Sequence, residues 1–317
     1  MTSTHAFRVA SRLGLAATLL AYGLIVVGSI VRTTGSGLAC PDWPLCEGRL
    51  IPRFESHVLI EWFHRLLALL VSVMVLATAG WVLAQGPARA RLGGLAVLAI
   101  GLLALQVLLG ALTVWKLLSP AIVSSHLAVA LLLFATLLTL TLVARGAAET
   151  PADAAAPARA APPRPAGMLA LCGATAGLAY VQCLLGGLVS SNHAGLACPD
   201  WPLCNGQWFP ALRGAVALQV VHRWSAYLLA FAVLVTAARA RTAPDAGVRA
   251  GAAMAAVLTF AQIAIGAANV LLGLPPWASA LHLANAEAIL AMLVAITFRT
   301  ALLPAPATPG APAPVPA

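Results

Sequence analysis

Gly37-Leu38-Ala39-Cys40-Pro41-Asp42-Trp43-Pro44-Leu45-Cys46 returns letter for letter as Gly195-Leu196-Ala197-Cys198-Pro199-Asp200-Trp201-Pro202-Leu203-Cys204, 158 positions later. A His-Arg pair follows each copy at the same offset, His64-Arg65 and His222-Arg223. Identity over ten residues at one spacing does not come from composition, so the chain holds two copies of one unit. The repeat extends further. Leu105-Gln106-Val107-Leu108-Leu109-Gly110 parallels Ala261-Gln262-Ile263-Ala264-Ile265-Gly266, and His126 parallels His282. The copies differ where chemistry would differ: Glu61 in the first is Gln219 in the second.

Composition sets the class. The 317 residues are 61% apolar and only 9% charged, with a mean hydropathy of +0.94. A soluble domain carries about 25% charged residues, so the chain reads as an integral membrane protein. Its apolar runs are about 20 residues long, which spells helices rather than barrel strands. The net charge of +9 comes from basic residues spread through loops. That pattern sets membrane topology and does not suggest a nucleic-acid partner. The first apolar run has no small-residue cleavage site after it and reads as a membrane helix, not a signal peptide.

Eight spans are expected, near 12–31, 59–83, 92–115, 121–144, 168–190, 216–238, 248–272 and 279–301. Gln85-Gly86-Pro87, Ser119-Pro120, Thr242-Ala243-Pro244 and Pro275-Pro276 mark breaks between them. The expected architecture is all-α: two tandem four-helix bundles, 1–145 and 167–303, related by a pseudo-two-fold repeat. An Ala/Pro-rich linker, 146–166, joins them, and a Pro/Ala-rich tail, 304–317, is expected to be disordered. An even number of helices per half makes the repeats parallel. Arg8, Arg12, Arg89, Arg91, Arg145, Arg159, Arg164, Arg239, Arg241, Arg249 and Arg299 fall on one side, with fewer cations on the other. The positive-inside rule then puts both termini in the cytoplasm and both cysteine loops outside. Trp62, Trp115, Trp224 and Trp277 at the outer helix ends fit interfacial anchors.

Seven histidines occur. His5, His57 and His193 lie in or beside polar segments and read as ordinary polar residues. His64, His126, His222 and His282 lie inside spans, where an ionisable group marks a functional site. Two symmetric His pairs on neighbouring helices suit bis-axial haem ligation, because the porphyrin supplies the equatorial nitrogens itself. Zinc would need more ligands than each pair offers. Arg65 and Arg223 are candidates to pair haem propionates; the alternative is snorkelling to lipid headgroups. Glu61 stands one turn before His64 on the same helix face and is the candidate proton-moving group. A structural ion pair from Glu61 to Arg65 at i+4 is the competing reading. Glu287 is a second intramembrane acid with no counterpart, position 131 being Leu, and no role follows for it.

The cysteine loops leave three readings open. Cys40–Cys46 and Cys198–Cys204 can bridge as disulfides in an oxidising compartment. All four could share one zinc, although the usual spacing is absent. Free thiols could hand over electrons or metal. Cys172 and Cys183 read as apolar packing.

These residues together resemble the haem A synthase family. The resemblance covers nearly all of 10–303. It rests on Val31-Arg32-Thr33-Thr34-Gly35-Ser36-Gly37-Leu38-Ala39-Cys40-Pro41-Asp42-Trp43-Pro44-Leu45-Cys46, on Glu61-x-x-His64-Arg65, and on His126, His222 and His282. Many members carry the cysteine pair only in the first half; this chain has it in both. The resemblance implies an oxidoreductase that converts the C8 methyl group of haem O to a formyl group by successive hydroxylations. It implies haem O held between His64 and His126 with Glu61 catalytic, and a haem b cofactor on the iron ligands His222 and His282. Implied partners are haem O, molecular oxygen or water as oxygen source, an electron donor, a haem O-producing farnesyltransferase and the bilayer of the plasma membrane. The alternative is a di-haem b electron-transfer protein, which would not need the halves to differ at one carboxylate. A repeat-built transporter is the third class, but no paired mid-span helix breaks support it.

Overall fold

The computed structural model describes residues 2–149 and 162–306. Most of the expected linker and tail, 150–161 and 307–317, lies outside the described residues. Those described form eight long helices, each apolar enough to cross a membrane. They are α1 (Ser3–Thr33), α2 (Ser56–Ala84), α3 (Gly86–Trp115), α4 (Pro120–Glu149), α5 (Met168–Ser191), α6 (Gly214–Ala240), α7 (Ala246–Leu271) and α8 (Pro276–Leu302). A single 3-10 turn, Ala194–Leu196, follows α5. The chain is therefore a multi-pass, all-helical membrane protein.

Several helices overrun the apolar spans. α1 begins at Ser3 rather than near 12, with the Thr2 hydroxyl accepting from the His5 N–H. α3 starts at Gly86, with Pro87 in its first turn, where the missing N–H costs nothing. α4 runs on to Glu149, so the first four residues of the expected linker are helical. Arg145 supports that last turn by donating to the Glu149 carboxylate at 2.8 Å. Hydropathy marks where lipid contact ends; backbone hydrogen bonding continues past it wherever the polar residues are good helix formers. At the same end Arg164 holds the carbonyls of Leu303 and Pro304, which ties the start of the expected tail to the chain before α5. Asp245 caps α7 by accepting from the Val248 N–H at 2.7 Å and pairs with Arg299 of α8.

The helices pack in two groups of four that meet along α1, α4, α5 and α8. Two of the bonds across that seam are reciprocal. Tyr22 of α1 donates to the Ala284 carbonyl of α8 at 2.9 Å, and Tyr180 of α5 donates to the Ala128 carbonyl of α4 at 3.2 Å. Ser124 meets Ser191 at 3.0 Å, and Arg32 donates to the Ser190 carbonyl at 2.8 Å. Small residues let helices approach, as membrane packing requires. A Cβ on Gly14 would stand 2.6 Å from the Thr141 hydroxyl, and one on Gly187 would stand 2.8 Å from Leu127. Outward faces such as Leu66, Leu69, Leu70, Val73 and Leu76 of α2 are exposed and apolar. In water that stripe would aggregate; in a bilayer it is the lipid contact.

Candidate functional site: two histidine pairs beneath the cysteine loops

The four intramembrane histidines sit near the same end of the bundle, the end that carries the cysteine loops. His64 on α2 lies within electrostatic reach of His126 on α4, and His222 on α6 of His282 on α8. Each ring rests on a glycine of the neighbouring helix. A Cβ on Gly28 would lie 3.3 Å from His64 Nε2, and one on Gly110 would lie 3.3 Å from His126 Cε1. On the other pair, Gly186 would bring it to 3.2 Å from His222 Cε1 and Gly266 to 2.8 Å from His282 Cε1. Any side chain at these glycines would push the imidazole out of place. The sequence parallel between Gly110 and Gly266 was visible, but the face they turn to the histidines was not.

The donor chemistry fits an iron porphyrin. The Nδ1 atoms of His126 and His282 are buried and have no hydrogen-bond partner. A buried nitrogen left unpaired costs free energy that a ligand would recover. Among the described residues, no group of three or more His, Cys, Asp or Glu is arranged to hold a bare metal ion. Two imidazoles per pair are too few for zinc and enough for a metal that brings its own equatorial ligands.

Glutamine side chains back three of the rings. The Gln106 amide lies 3.2 Å from His126 Nε2, and the Gln182 amide lies 3.0 Å from His222 Nδ1. The Gln262 amide lies 3.3 Å from His282 Nε2 and also donates to the His282 carbonyl at 3.0 Å.

Glu61 is buried, 4% exposed, and both its oxygens are engaged. Oε2 accepts from the Cys40 backbone N–H at 2.8 Å, and Oε1 pairs with Arg65 at 2.5 Å. The i+4 ion pair weighed from sequence is present. It also does more than staple a helix, because it fastens the cysteine loop to the turn that carries His64. Arg65 completes the joint by donating to the carbonyls of Asp42 at 2.6 Å, Cys40 at 3.0 Å and Leu45. Arg223 likewise holds Leu203 at 2.6 Å and Cys198 at 2.7 Å. Both guanidinium groups, read from sequence as propionate or headgroup partners, thus spend most or part of their donors on the loops. Gln219 stands in for Glu61, equally buried, and donates to the Gly195 carbonyl at 3.2 Å.

The loops themselves are alike. Cys40 pairs with Cys46 and Cys198 with Cys204, at Cα separations of 4.8 and 4.5 Å, the geometry of a disulfide. The shared zinc finds no support among the described residues. Asp42 accepts from the N–H groups of Glu47 at 2.6 Å and Gly48 at 2.7 Å, and Asp200 does the same for Asn205 and Gly206. Glu47, Gly48, Asn205 and Gly206 all have positive φ, closing a tight turn. The backbone N–H of Gly48 chiefly holds the Asp42 carboxyl below the usual carboxylate range, as that of Gly206 does for Asp200. The bonds need the ionised form. Their contribution is therefore present above the ordinary carboxylate pKa and is lost only as pH falls through the depressed value. Asp42→Ala removes both acceptors, and Cys40–Cys46 should then be reduced several-fold faster by limiting thiol. Cys198–Cys204 in the same chain provides an unchanged control in a maleimide gel-shift assay.

Among the described residues, one polar chain of the first half has no equivalent in the second. Thr34 meets Ser36 at 2.7 Å, and Ser36 meets His57 Nδ1 at 3.0 Å, one turn before Glu61. The corresponding second-half residues are Asn192, Ala194 and Ala215. Sequence reading treated His57 as an ordinary polar residue and missed this chain; the asymmetry at three aligned positions was the available signal. Glu287 is fully buried, and neither of its oxygens has a hydrogen-bond partner. Cys172 and Cys183 are buried in the core, as expected for packing.

The COX15-CtaA family model, described as a cytochrome oxidase assembly protein, matches residues 11–58 and 52–294, nearly the whole bundle. The chain belongs to that family. COX15-CtaA relatives align over most of their length. A heme A synthase of Symbiobacterium thermophilum is 34% identical over 266 residues, covering 83% of this chain and 85% of its own. A heme A synthase of Methylobacterium sp. is 32% identical over 328 residues, covering 87% and 88%. For a COX15-CtaA protein, the regions matched include both cysteine loops and all four intramembrane histidines.

Proposed function

We propose that this protein is a haem A synthase, an oxidoreductase that converts haem O to haem A by oxidising the C8 methyl group to a formyl group. The observation that carries the reading is chemical asymmetry between two like sites. Each site has two histidines seated on glycines, and the buried carboxylate of Glu61, one turn before the first His, is replaced in the second half by the equally buried, neutral Gln219.

On this reading the chain is two tandem repeats, 1–145 and 167–303, each housing one haem between its second and fourth helices. The reciprocal tyrosine bonds across the seam support the pseudo-two-fold relation. His64 and His126 hold the substrate haem O. An apolar groove of about 280 Å³ between α1 and α2, lined by Val27, Ile30, Leu59, Ile60 and Phe63, on the same helix turns as Gly28 and His64, suits the hydrocarbon tail that a farnesyltransferase adds. Glu61, one helical turn before His64, takes up or returns protons as the methyl group is hydroxylated twice and the gem-diol loses water. His222 and His282 hold haem b, which when bound supplies one-electron chemistry. Arg223 leaves more guanidinium N–H groups free than Arg65 does, and so is the better propionate partner. With molecular oxygen as the oxygen source, each hydroxylation also takes two electrons and two protons from an electron donor and releases water; with water as the source, the electrons leave to an acceptor instead; a haem O synthase hands over the substrate. Both termini lie in the cytoplasm and both disulfide loops on the outer face of the plasma membrane, as the arginine distribution supports.

The test is haem extraction from the purified full chain, made in a host that supplies haem O, with pigments identified by mass. Haem b together with haem O or haem A is the expected result. Haem b alone, at two per chain, would favour the electron-transfer alternative.

A further inference from the structure

The cations at the cysteine-loop end of the bundle keep different company. Arg49, Arg53, Lys116 and Arg213 are exposed, and Arg53 also pairs with Glu47 at 2.7 Å. Arg65 is neutralised by Glu61 and clamps three loop carbonyls. Arg223 clamps its own loop and has no carboxylate bonded to it. Arg32, near the end of α1, is half-buried, and its guanidinium donates to the Ser190 carbonyl of α5 at 2.8 Å. Among the described residues, no acidic side chain pairs with it. A guanidinium carries five N–H donors, so most of this one is unspent.

Its placement ties it to the histidines. Arg32 stands one turn beyond Gly28, the glycine against which the His64 ring rests. Residues four apart share a helix face, so the side chain leaves α1 on the face that meets His64, toward the cysteine loops. Ser190 stands one turn beyond Gly186, the glycine against which the His222 ring rests. Arg32 and Ser190 are equivalents in the repeat, 158 positions apart. The first half thus has a cation where the second has a serine. A second difference offsets this one. Gln219 leaves Arg223 without a carboxylate, whereas Glu61 takes up the charge of Arg65. Each histidine pair therefore has beside it one guanidinium that no carboxylate holds: Arg223 of α6 for one, Arg32 of α1 for the other.

We propose that Arg32 binds a carboxylate of the ligand taken up by His64 and His126, a propionate of the substrate haem. This rests on the haem A synthase reading. A half-buried cation without a counter-ion costs free energy that an incoming anion recovers. The planar guanidinium meets a carboxylate with two parallel N–H bonds. The bond to Ser190 already restrains the long side chain, so less rotamer freedom is lost when the anion arrives. Arg65 would have to leave Glu61 and the loop to do the same. In haem O the C8 methyl group shares a pyrrole ring with a propionate. A cation that anchors the propionates therefore also sets where the reacting methyl lies, which makes Arg32 a substrate-binding and orienting residue.

The experiment titrates the purified full chain, made in a host without haem O and carrying its resident haem b, with haem O and with haem O dimethyl ester. Esterification removes the propionate charges. Binding is followed optically, and haem b content and midpoint potential are recorded alongside. The native chain should prefer the free acid. Arg32→Gln should bind the acid roughly 10–100-fold more weakly and the ester as the native chain does, with haem b unchanged. An arginine that only braced the seam would not single out the acid. Equal affinity of the native chain for acid and ester would overturn the proposal, as would an undiminished preference in Arg32→Gln. Equal weakening for both, with haem b lost as well, would mean a loosened seam and would overturn it too. Should Arg32→Gln fail to fold, Arg32→Lys decides, because it keeps the charge and loses the fork. A preference reduced several-fold supports the proposal, and an unchanged one overturns it. A native chain that takes up haem O in neither form would sink the synthase reading, and the proposal with it.

Discussion

Glu61→Gln should retain its haems and its fold and make essentially no haem A. The protein already contains the control for that substitution. Gln219 occupies the aligned position at the same 4% exposure, donates to the Gly195 carbonyl and disrupts neither α6 nor the loop above it. Arg223 still clamps Leu203 and Cys198 with no carboxylate to help. Arg65 has three loop carbonyls of its own and should hold the first loop in the same way. What the amide cannot supply is negative charge and a proton-accepting oxygen. Loss of a positioned proton-transfer group costs typically 10²–10⁴-fold in rate. The measurement is haem A per chain, by extraction and mass, in a host supplying haem O. The rate of Cys40–Cys46 reduction, followed alongside, should stay at the native value. If haem A formation were native and only disulfide reduction accelerated, Glu61 would be an anchor for the loop and nothing more.

That pairing of readouts is needed because Glu61 was only half legible in the sequence. Its helical offset from His64 and its replacement by Gln219 were plain from the repeat. Its hold on the Cys40 N–H was not, since it depends on how a loop of two prolines folds back over the helix. The arginines illustrate the same limit. Arg65 and Arg223 directly follow the histidines, so a haem-facing role was a natural expectation, yet a long side chain goes where acceptors are, and the loop carbonyls are nearer. The helices themselves were read well because each apolar run is long and bounded by Gly or Pro. Their ends were not, because α1 and α4 continue as helices into arginine-bearing turns that hydropathy excludes. The glutamines behind the histidines escaped for a different reason. Gln106 and Gln262 belong to the repeat, whereas Gln182 aligns with Leu24 and so breaks it. A search for what the halves share passes over the residues that make them different.

His222→Ala or His282→Ala should strip haem b while leaving the bundle assembled, and His64→Ala or His126→Ala should leave haem b in place and stop product formation. The fold should survive because each imidazole sits in a slot against a glycine, and the apolar core that packs the helices is left unchanged. Alanine is also a better helix former than histidine. Haem retention should not survive, because one axial ligand is lost outright and the facing histidine is left to hold the iron alone. Haem b content per chain should fall to a trace, a larger loss than the roughly 10–100-fold affinity cost of losing a group behind a ligand. The reciprocal variants separate the two sites. With His126 replaced, His222, His282 and the glycines they rest on are untouched, so the resident haem and its potential should match the native protein. Pigment analysis and optical spectra of the four variants read both effects at once. If His64→Ala released haem b and His222→Ala kept it, the roles assigned to the halves would be exchanged. The carboxylate at Glu61 would then lie beside the resident cofactor, and substrate would have to react at the site where Gln219 offers no charge.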